Sequence, residues 1–537
     1  MTELILNDLI LPPDGGEAEA CALARKRLKE NGLPARAETS VYRFSVDARR
    51  RQNVRLVWSV RVRTEEDFLP AEEAEKKALL ARLHANEAGE TYDLSRLPER
   101  AVPPKGPPVI VGMGPAGLFA ALLLAKKGMR PVLLERGGTV RERIAARDAF
   151  YRTGRLDPDC NVQFGAGGAG TFSDGKLVTR VNDPRCRFVL EELASLGAPR
   201  EILTRARPHV GTDLLPSLVE RAAERIAALG GRILYRTALT GFSLSGGRIA
   251  AAQTTGGEIP CSSLVLACGH SARDVYSFLP RYGVLPEVKP FSVGVRIEHT
   301  AAEIDRAMYG ALAGHPALGH AEYNLSHRVD GRGVYTFCMC PGGEVVAAAT
   351  EEGGVVTNGM SPFARDGVNS NAAVAVSVFP SDCGSSPEGA IAFQRELERR
   401  AFSLGGGGFA APVSTVGDLM RGTSGTAPSR ILPTYMGGRC RTADLASLFP
   451  PFITQALRGG LAAFGRTLTG FDVSDAVLTA AETRTSAPLR IPRDPETLAS
   501  PVLSNLYPCG EGAGYAGGIT SAAADGLRAA EKILLGD

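Results

Sequence analysis

Hydrophobic residues change their rhythm along this chain, and the changes divide it into pieces. In VRLVWSVRVR, Val54, Leu56, Trp58, Val60 and Val62 are apolar at every second position, while Arg55, Arg61 and Arg63 stand among the alternate ones. That alternation predicts a strand with one buried and one basic face. Tyr42, Phe44 and Val46 repeat the parity and predict a neighbouring strand, with DARRRQN between the two. A strand near LILNDLILP, a helix across EAEACALARKRLKENG and a polar helix over PAEEAEKKALLARLHANE complete a small α+β unit over residues 1–100. VPPKGPP at 102–108 can continue neither a helix nor an inner strand, so a boundary is expected there.

From residue 109 the pattern changes. PVIVGMGPAGLFAALLLAKKG reads as an apolar strand, a glycine turn and a helix, and MRPVLL as a second apolar strand. The stretch GGRILYRTALTGFSLSGGRIAAAQTTGGEIPCSSLVLACG predicts successive strands with glycine turns, ending in the apolar LVLACG. Alternating segments then dominate, among them FSVGVRIEH, GVYTFCMC, EVVAAAT and AAVAVSVF, which predict an antiparallel sheet inserted at 276–475. NLYPCGEGAGYAGGITSAAADGLRAAEKIL closes the chain as a short strand, a glycine-rich turn and a helix beginning near Gly518.

The first glycine turn carries chemistry. Gly112 permits a tight turn, Gly114 lets a pyrophosphate approach the backbone, and Gly117 allows strand and helix to pack closely, with Pro115 and Ala116 at the helix start. Glu135 follows the second strand, where a carboxylate accepts hydrogen bonds from ribose hydroxyls; Arg136 beside it weakens the argument against a 2′-phosphate. NAD and FAD remain, and the far end of the chain separates them. An NAD domain closes within its own contiguous stretch, whereas the extended flavin needs a second glycine-lined approach and a helix start near its ring. Gly510, Glu511, Gly518 and Ile519 supply that approach, and Cys268 with Gly269 lets the middle strand pass near the nucleotide. The cofactor expected is therefore FAD. The fold class expected is α/β: a three-layer Rossmann-like FAD-binding domain at 109–275 and 476–537, an inserted, mainly antiparallel substrate domain at 276–475, and the small N-terminal α+β domain.

These segments resemble the FAD-binding half of the glutathione-reductase-like flavoproteins. More closely, QFGAGGAGTFSDGKLVTR, LVLACGHSARDVY, PFSVGVRIEH, ETRTSAPLRIPRD and CGEGAGYAGGITSAAADG resemble a bacterial family of FAD-dependent dehydrogenases, also called NAD(P)/FAD-dependent oxidoreductases. The resemblance runs over most of the chain. It implies a FAD-dependent oxidoreductase that passes two electrons between flavin and a small organic substrate. With no second GxGxxG, NADH or NADPH would act as a transiently docked donor.

Candidate side chains follow from this layout. The loop FGAGGAGTFSDGKL is expected against the flavin ring, its glycines, including Gly167 and Gly168, offering backbone N–H groups, with Ser173 and Lys176 nearby. In the inserted sheet, Arg296 and His299 of VRIEH are the candidate catalytic residues, one to fix a carboxylate and one to move a proton. Their places in the alternation put them on opposite faces, and a structural ion pair of Arg296 with Glu298 is the competing reading. Cys338 and Cys340 form a C-x-C that reads as two buried small apolar side chains.

Composition changes this picture little. The 537 residues are 44% hydrophobic and 22% charged, with 61 Lys+Arg against 58 Asp+Glu for a net charge of +3. That balance points to neither nucleic acid nor a membrane as partner. The ten cysteines contain no C-x-x-C, so neither a zinc site nor a dithiol of the common kind is expected. The acidic start resembles no leader, and the longest apolar run, Leu118 to Ala125, is too short to cross a bilayer, so a cytoplasmic protein is expected. The basic N-terminal sheet leaves open a flavin-containing RNA-modifying protein, or a redox-sensing interaction module, as the alternative.

Overall fold

A parallel sheet frames the molecule. In the computed structural model, which describes residues 2–33, 37–65, 67–89, 91–103 and 105–536, five strands pair in the order 506–508, 264–266, 109–111, 132–134, 232–234. All four pairings are parallel. Pro104 of the expected connector lies outside the described residues.

Successive strand side chains point to opposite faces, and the parity of these short strands builds two layers against the sheet. Val109, Val111, Val132, Leu134, Leu264 and Leu266 pack with Leu239, Phe242 and Ile249 of an antiparallel ribbon formed by Leu239–Ser245, Arg248–Thr254 and Gly257–Pro260. Ile110, Leu133 and Val265 pack on the other side with Leu118, Leu122 and Leu527 of the helices Pro115–Lys126 and Ile519–Leu535. Each such fully covered aliphatic side chain is worth roughly 1.5–3 kcal/mol. The two helices cross closely because Gly526 has no side chain: a Cβ there would lie 2.0 Å from the Ala116 carbonyl oxygen.

A second sheet of seven strands runs in the order 326–329, 332–340, 369–378, 291–300, 477–482, 411–415, 440–442. It is antiparallel except for its last pair. The chain passes between the sheets twice, and the two passages pair with each other, Glu287 with Arg490 and Val288 with Leu489. These crossings fall later than the expected 275/276 and 475/476. The second falls later because Val477–Glu482, whose six residues are all buried between Phe291–Thr300 and Ala411–Thr415, belongs to the inserted sheet and not to the parallel one.

The N-terminal unit orders its strands 38–47, 55–64, 2–11, 85–87, with Glu17–Glu30 and Glu73–Leu83 as its helices. Val54, Leu56, Trp58, Val60 and Val62 are buried, as their alternation predicts. Tyr42 departs from it. A bulge between Val41 and Arg43 turns Tyr42 to the basic face, where the Arg61 guanidinium lies 5.3 Å from its ring centroid. Three arginines of this unit have acidic partners. Glu3 pairs with Arg61 at 3.3 Å and Arg63 at 2.9 Å, and Asp47 pairs with Arg49 at 2.6 Å. The outer strand is joined to the body of the molecule: the Phe44 N–H donates to the Thr204 carbonyl and the Ala206 N–H to the Phe44 carbonyl, both at 2.8 Å. Among the described residues no helix is long and apolar enough to cross a membrane.

Candidate functional site

A cavity of about 330 Å³ opens where the strand ends of the parallel sheet meet the inserted sheet. Two helix starts border it, at Gly114–Pro115 and Gly518–Ile519. The first-turn N–H groups of such helices have no intrahelical acceptor and favour a negative charge near the helix end.

The glycines of the first turn serve different ends. A Cβ on Gly112, which sits at φ +98°, would lie 2.4 Å from the Ala267 carbonyl oxygen, and one on Gly117 would lie 1.9 Å from that of Gly112. Packing alone requires these two. Gly114 is different: it has φ −73°, and the nearest atom to a Cβ there is 4.0 Å away. Neither backbone conformation nor protein packing demands a glycine at that position, and the space it leaves bare is the cavity.

Glu135 is 4% exposed and is fixed by backbone donors. Its Oε1 accepts from the N–H of Gly137 and of Gly165, each at 2.9 Å, and its Oε2 from the N–H of Met113 at 3.0 Å. With two lone pairs on each oxygen, Oε2 keeps one acceptor site toward the cavity. Arg136 also lines the cavity but is tied to Asp274 at 2.6 Å and stacks over Phe164.

The glycine loop after 160 does not present its N–H groups as the sequence suggests. Gly165 donates to Glu135, Gly167 to the Met113 carbonyl and Gly168 to that of Gly165, at 2.9 to 3.0 Å. Its glycines answer to crowding: a Cβ on Gly165 would meet the Arg143 Cδ at 2.5 Å, and one on Gly167 the Thr171 hydroxyl at 2.1 Å. Arg143, unexpected from sequence, organises the loop from within. It is fully buried and donates to the carbonyls of Asn161, Val162 and Ala166 at 2.6–2.8 Å. Ser173 is bound to the Gly170 carbonyl at 2.7 Å, while Lys176 pairs with Asp174, which Arg365 also holds through two hydrogen bonds.

The opposite wall comes from the inserted sheet: Phe337, Cys338, Asn358, Glu482, Arg484 and Thr485. Glu482 ends its strand under the cavity, and burial pushes its carboxyl up to about 7 although Arg296 pulls it down. The Arg296 Nε donates to Glu482 Oε2 at 3.2 Å, Nη1 to Asn371 at 2.8 Å and Nη2 to the Cys338 carbonyl at 3.1 Å. On the parallel-sheet side, burial also raises Glu511 to about 7. His270 Nδ1 stands 3.5 Å from Glu511 Oε1; burial and the nearby Arg484 and Arg273 lower the imidazole to about 3, so it is neutral at ordinary pH. Its buried Nε2 has no protein partner among the described residues.

Comparison with known proteins bears on what this site holds. A family model described as FAD-dependent protein, C-terminal domain-like, matches residues 290–485, the stretch between the two crossings. A protein of Clostridium beijerinckii (strain ATCC 51743 / NCIMB 8052), described only as an uncharacterized protein, is 44% identical over 499 residues, 92% of each chain. This chain belongs to the FAD-dependent protein family. Among solved structures, a flavoprotein/dehydrogenase from Cytophaga hutchinsonii is 12% identical with a TM-score of 0.37, covering 80% of this chain and 79% of its own. Glycine oxidase from Bacillus cereus ATCC 14579 is 12% identical with a TM-score of 0.30, covering 80% and 95%. Both of these likenesses are slight.

The site of this FAD-dependent protein fits the cofactor by its own geometry: a bare Gly114 between two helix starts, a carboxylate with one acceptor site left, and a concave volume of ordinary ligand-site size. Of the expected binding residues, Gly112, Gly114, Pro115, Ala116, Glu135, Arg136, Gly168, Ser173, Lys176, Cys268, Gly269, Gly510, Glu511, Gly518 and Ile519 line the cavity. Gly117 lies behind it in the helix, and Gly167 lines a smaller apolar void of about 50 Å³ next to it.

The two expected catalytic residues do not line the cavity. His299 is 1% exposed and bonds through Nε2 to the Phe471 carbonyl at 2.7 Å, on the far face of its strand, where burial lowers its pKa. Arg296 reaches the site only through Glu482 and the Cys338 carbonyl. It also does not pair with Glu298, whose carboxylate accepts instead from Thr434 and Asn369. Sequence reasoning missed Glu482, whose one signal was a carboxylate ending the apolar run AVLTAA.

Proposed function

We propose that this chain is a FAD-dependent oxidoreductase that moves two electrons between flavin and a small organic substrate admitted between the two sheets. The observation that supports this best is that both sheets supply one cavity: a nucleotide turn with its bare Gly114 on one side, and the buried carboxyl of Glu482 on the other. Gly114, Glu135, Gly269, Gly510 and Gly518 would hold FAD. FAD, when bound, supplies the two-electron chemistry that side chains lack.

The protein's own part is positioning and proton handling. A carboxyl near 7 is matched to giving or taking a proton at neutral pH. Arg296 fixes its orientation, and the neutral His270 offers a buried ring nitrogen as a hydrogen-bond partner for a bound group. NADH or NADPH is the proposed transient donor.

The test is anaerobic. Purified protein should be yellow, should release FAD on denaturation, and should bleach with a reduced nicotinamide or with one member of a screen of small donors. A colourless protein that fails to take up FAD overturns the reading. In Glu482→Gln, FAD should bind as in the unaltered protein while the rate of bleaching falls at least about a hundredfold, the lower end of the range for losing a proton-transfer group.

A further inference from the structure

The C-x-C pair has no role in the flavin chemistry proposed for the cavity, and its geometry is not that of two inert thiols. Cys338 is on the cavity wall, Cys340 is fully buried behind it, and their sulfurs are 3.9 Å apart. A regular strand would not bring them so close, because at about 3.3 Å per residue positions i and i+2 stand roughly 6.6 Å apart with parallel side chains. This strand is bulged. Phe337 pairs with Ala373 and Cys340 with Asn371, so the chain takes one more residue than its partner over this step. Cys338 absorbs it with φ +45°, a left-handed conformation that is unfavourable for a non-glycine residue. Such strain persists only where the surroundings hold it, and Arg296 does so here through the Cys338 carbonyl.

The same surroundings differentiate the two thiols. Contact with the Cys340 thiol, together with the nearby Arg296 and Lys176 cations, holds the Cys338 thiol below the ordinary range, whereas the Cys338 sulfur and burial raise Cys340, whose S–H also donates to the Cys338 carbonyl at 3.2 Å. One half-buried, thiolate-prone sulfur on the cavity wall beside one fully buried partner is the arrangement of an attacking and a resolving thiol.

We propose that Cys338 and Cys340 form a reversible disulfide that carries two electrons between the flavin and a small disulfide substrate. In the reducing direction the Cys338 thiolate attacks one sulfur of the external disulfide. A mixed disulfide forms and one substrate thiolate leaves. The Cys340 thiol then loses its proton and attacks the Cys338 sulfur, forming the internal S–S bond and releasing the second substrate thiolate. That bond becomes two thiols again on taking up two electrons and two protons, which bound reduced flavin would supply as it is oxidised. The proposal names the substrate class of the function proposed above and rests on that reading for its electron source, but the formation of the disulfide stands without it.

Oxidised glutathione is the probe, added anaerobically to the flavin-loaded protein, with peptide mass mapping after alkylation. Unaltered protein should yield a Cys338–Cys340 disulfide, lighter by two hydrogens. Cys340→Ser should trap glutathione on Cys338, and Cys338→Ser should form neither product. On reductive titration the oxidised protein should take up about four electrons per flavin and the Cys340→Ser variant about two, since each couple carries two. Both thiols remaining free in the unaltered protein while the half-buried Cys186 becomes modified would overturn the proposal, with no variant needing to fold. Mapping the protein without flavin separates the two readings. A colourless protein that forms the disulfide sinks the flavin reading alone, and a yellow one that keeps both thiols and takes up two electrons sinks the dithiol alone.

Discussion

Gly114 and Gly117 belong to one motif and answer to different demands, so alanine at each separates ligand from fold. At Gly114 a Cβ meets nothing nearer than 4.0 Å, and Gly114→Ala should change unfolding free energy by less than about 1 kcal/mol, the scale of a helix-cap replacement. FAD affinity should fall at least about tenfold, because the added methyl fills the space beside the helix start. Gly117→Ala should instead cost on the order of 1–3 kcal/mol before any ligand is added, from a Cβ only 1.9 Å from a carbonyl oxygen. Urea unfolding of flavin-free protein and a fluorescence titration with FAD read the two effects apart. Glu482 makes a second prediction at this scale. The folded chain holds its proton up to about 7, whereas an ordinary glutamate releases it near 4.5, so folding takes up a proton between those values. Its contribution to stability is therefore fully present below about 4.5 and is lost as pH rises through about 7. Glu482→Gln should flatten that decline in denaturant midpoint, and a variant that declines as steeply as the parent contradicts the assignment. In Arg296→Gln the midpoint of the Glu482 titration should move upward, since the cation that favours the carboxylate is gone.

Elements were legible from sequence where one local rule sufficed, and opaque where a partner far along the chain decided. The apolar strand, glycine turn and helix at 109–126, and the helix after Gly518, are written in contiguous periodicity and in positions that crowding denies to a side chain. Val477–Glu482 is equally apolar, but nothing within it says which sheet it joins; its neighbours 291–300 and 411–415 decide that. The bulges at Tyr42 and Cys338 each reverse a parity argument by one residue, and both depend on register against another strand. The same limit explains Arg296, whose carboxylate partner lies 186 residues away, while the nearby Glu298 offered a false one. The outer N-terminal strand carries a prediction of its own. Ala206→Pro removes the N–H that donates to Phe44, so the N-terminal unit should be held more loosely. Limited proteolysis between that unit and residue 109 should accelerate several-fold while FAD binding stays unchanged; equal cleavage rates would show that the bridge does not hold the unit.

For the whole molecule, the seam between the two sheets rests on one buried carboxylate. Glu398, 2% exposed, accepts from Arg273 at 2.7 and 2.9 Å and from Arg484 at 3.1 Å, and those two cations hold its carboxyl far below the ordinary range. Removing it takes the carboxylate partner from the buried Arg484 and leaves Arg273 only its longer pairing with Glu351, at 3.3 Å. Glu398→Ala should therefore cost about 3–5 kcal/mol in urea unfolding, far more than loss of an exposed pair such as Arg400 with Glu396. The paired passages at 287–288 and 489–490 bear on assembly as well as on shape. Adjacent strands 264–266 and 506–508 are remote in sequence, and closing so long a stretch of loose polypeptide is entropically costly. Once the inserted sheet has formed, its ends emerge side by side and the stretch behaves as a tether several-fold shorter, which lowers the closure cost by roughly 1–2 kcal/mol. The order of events that this favours has the interruption collapsing first and drawing the last strand of the parallel sheet into place, so that pulsed hydrogen exchange during refolding should protect 369–378 ahead of 506–508.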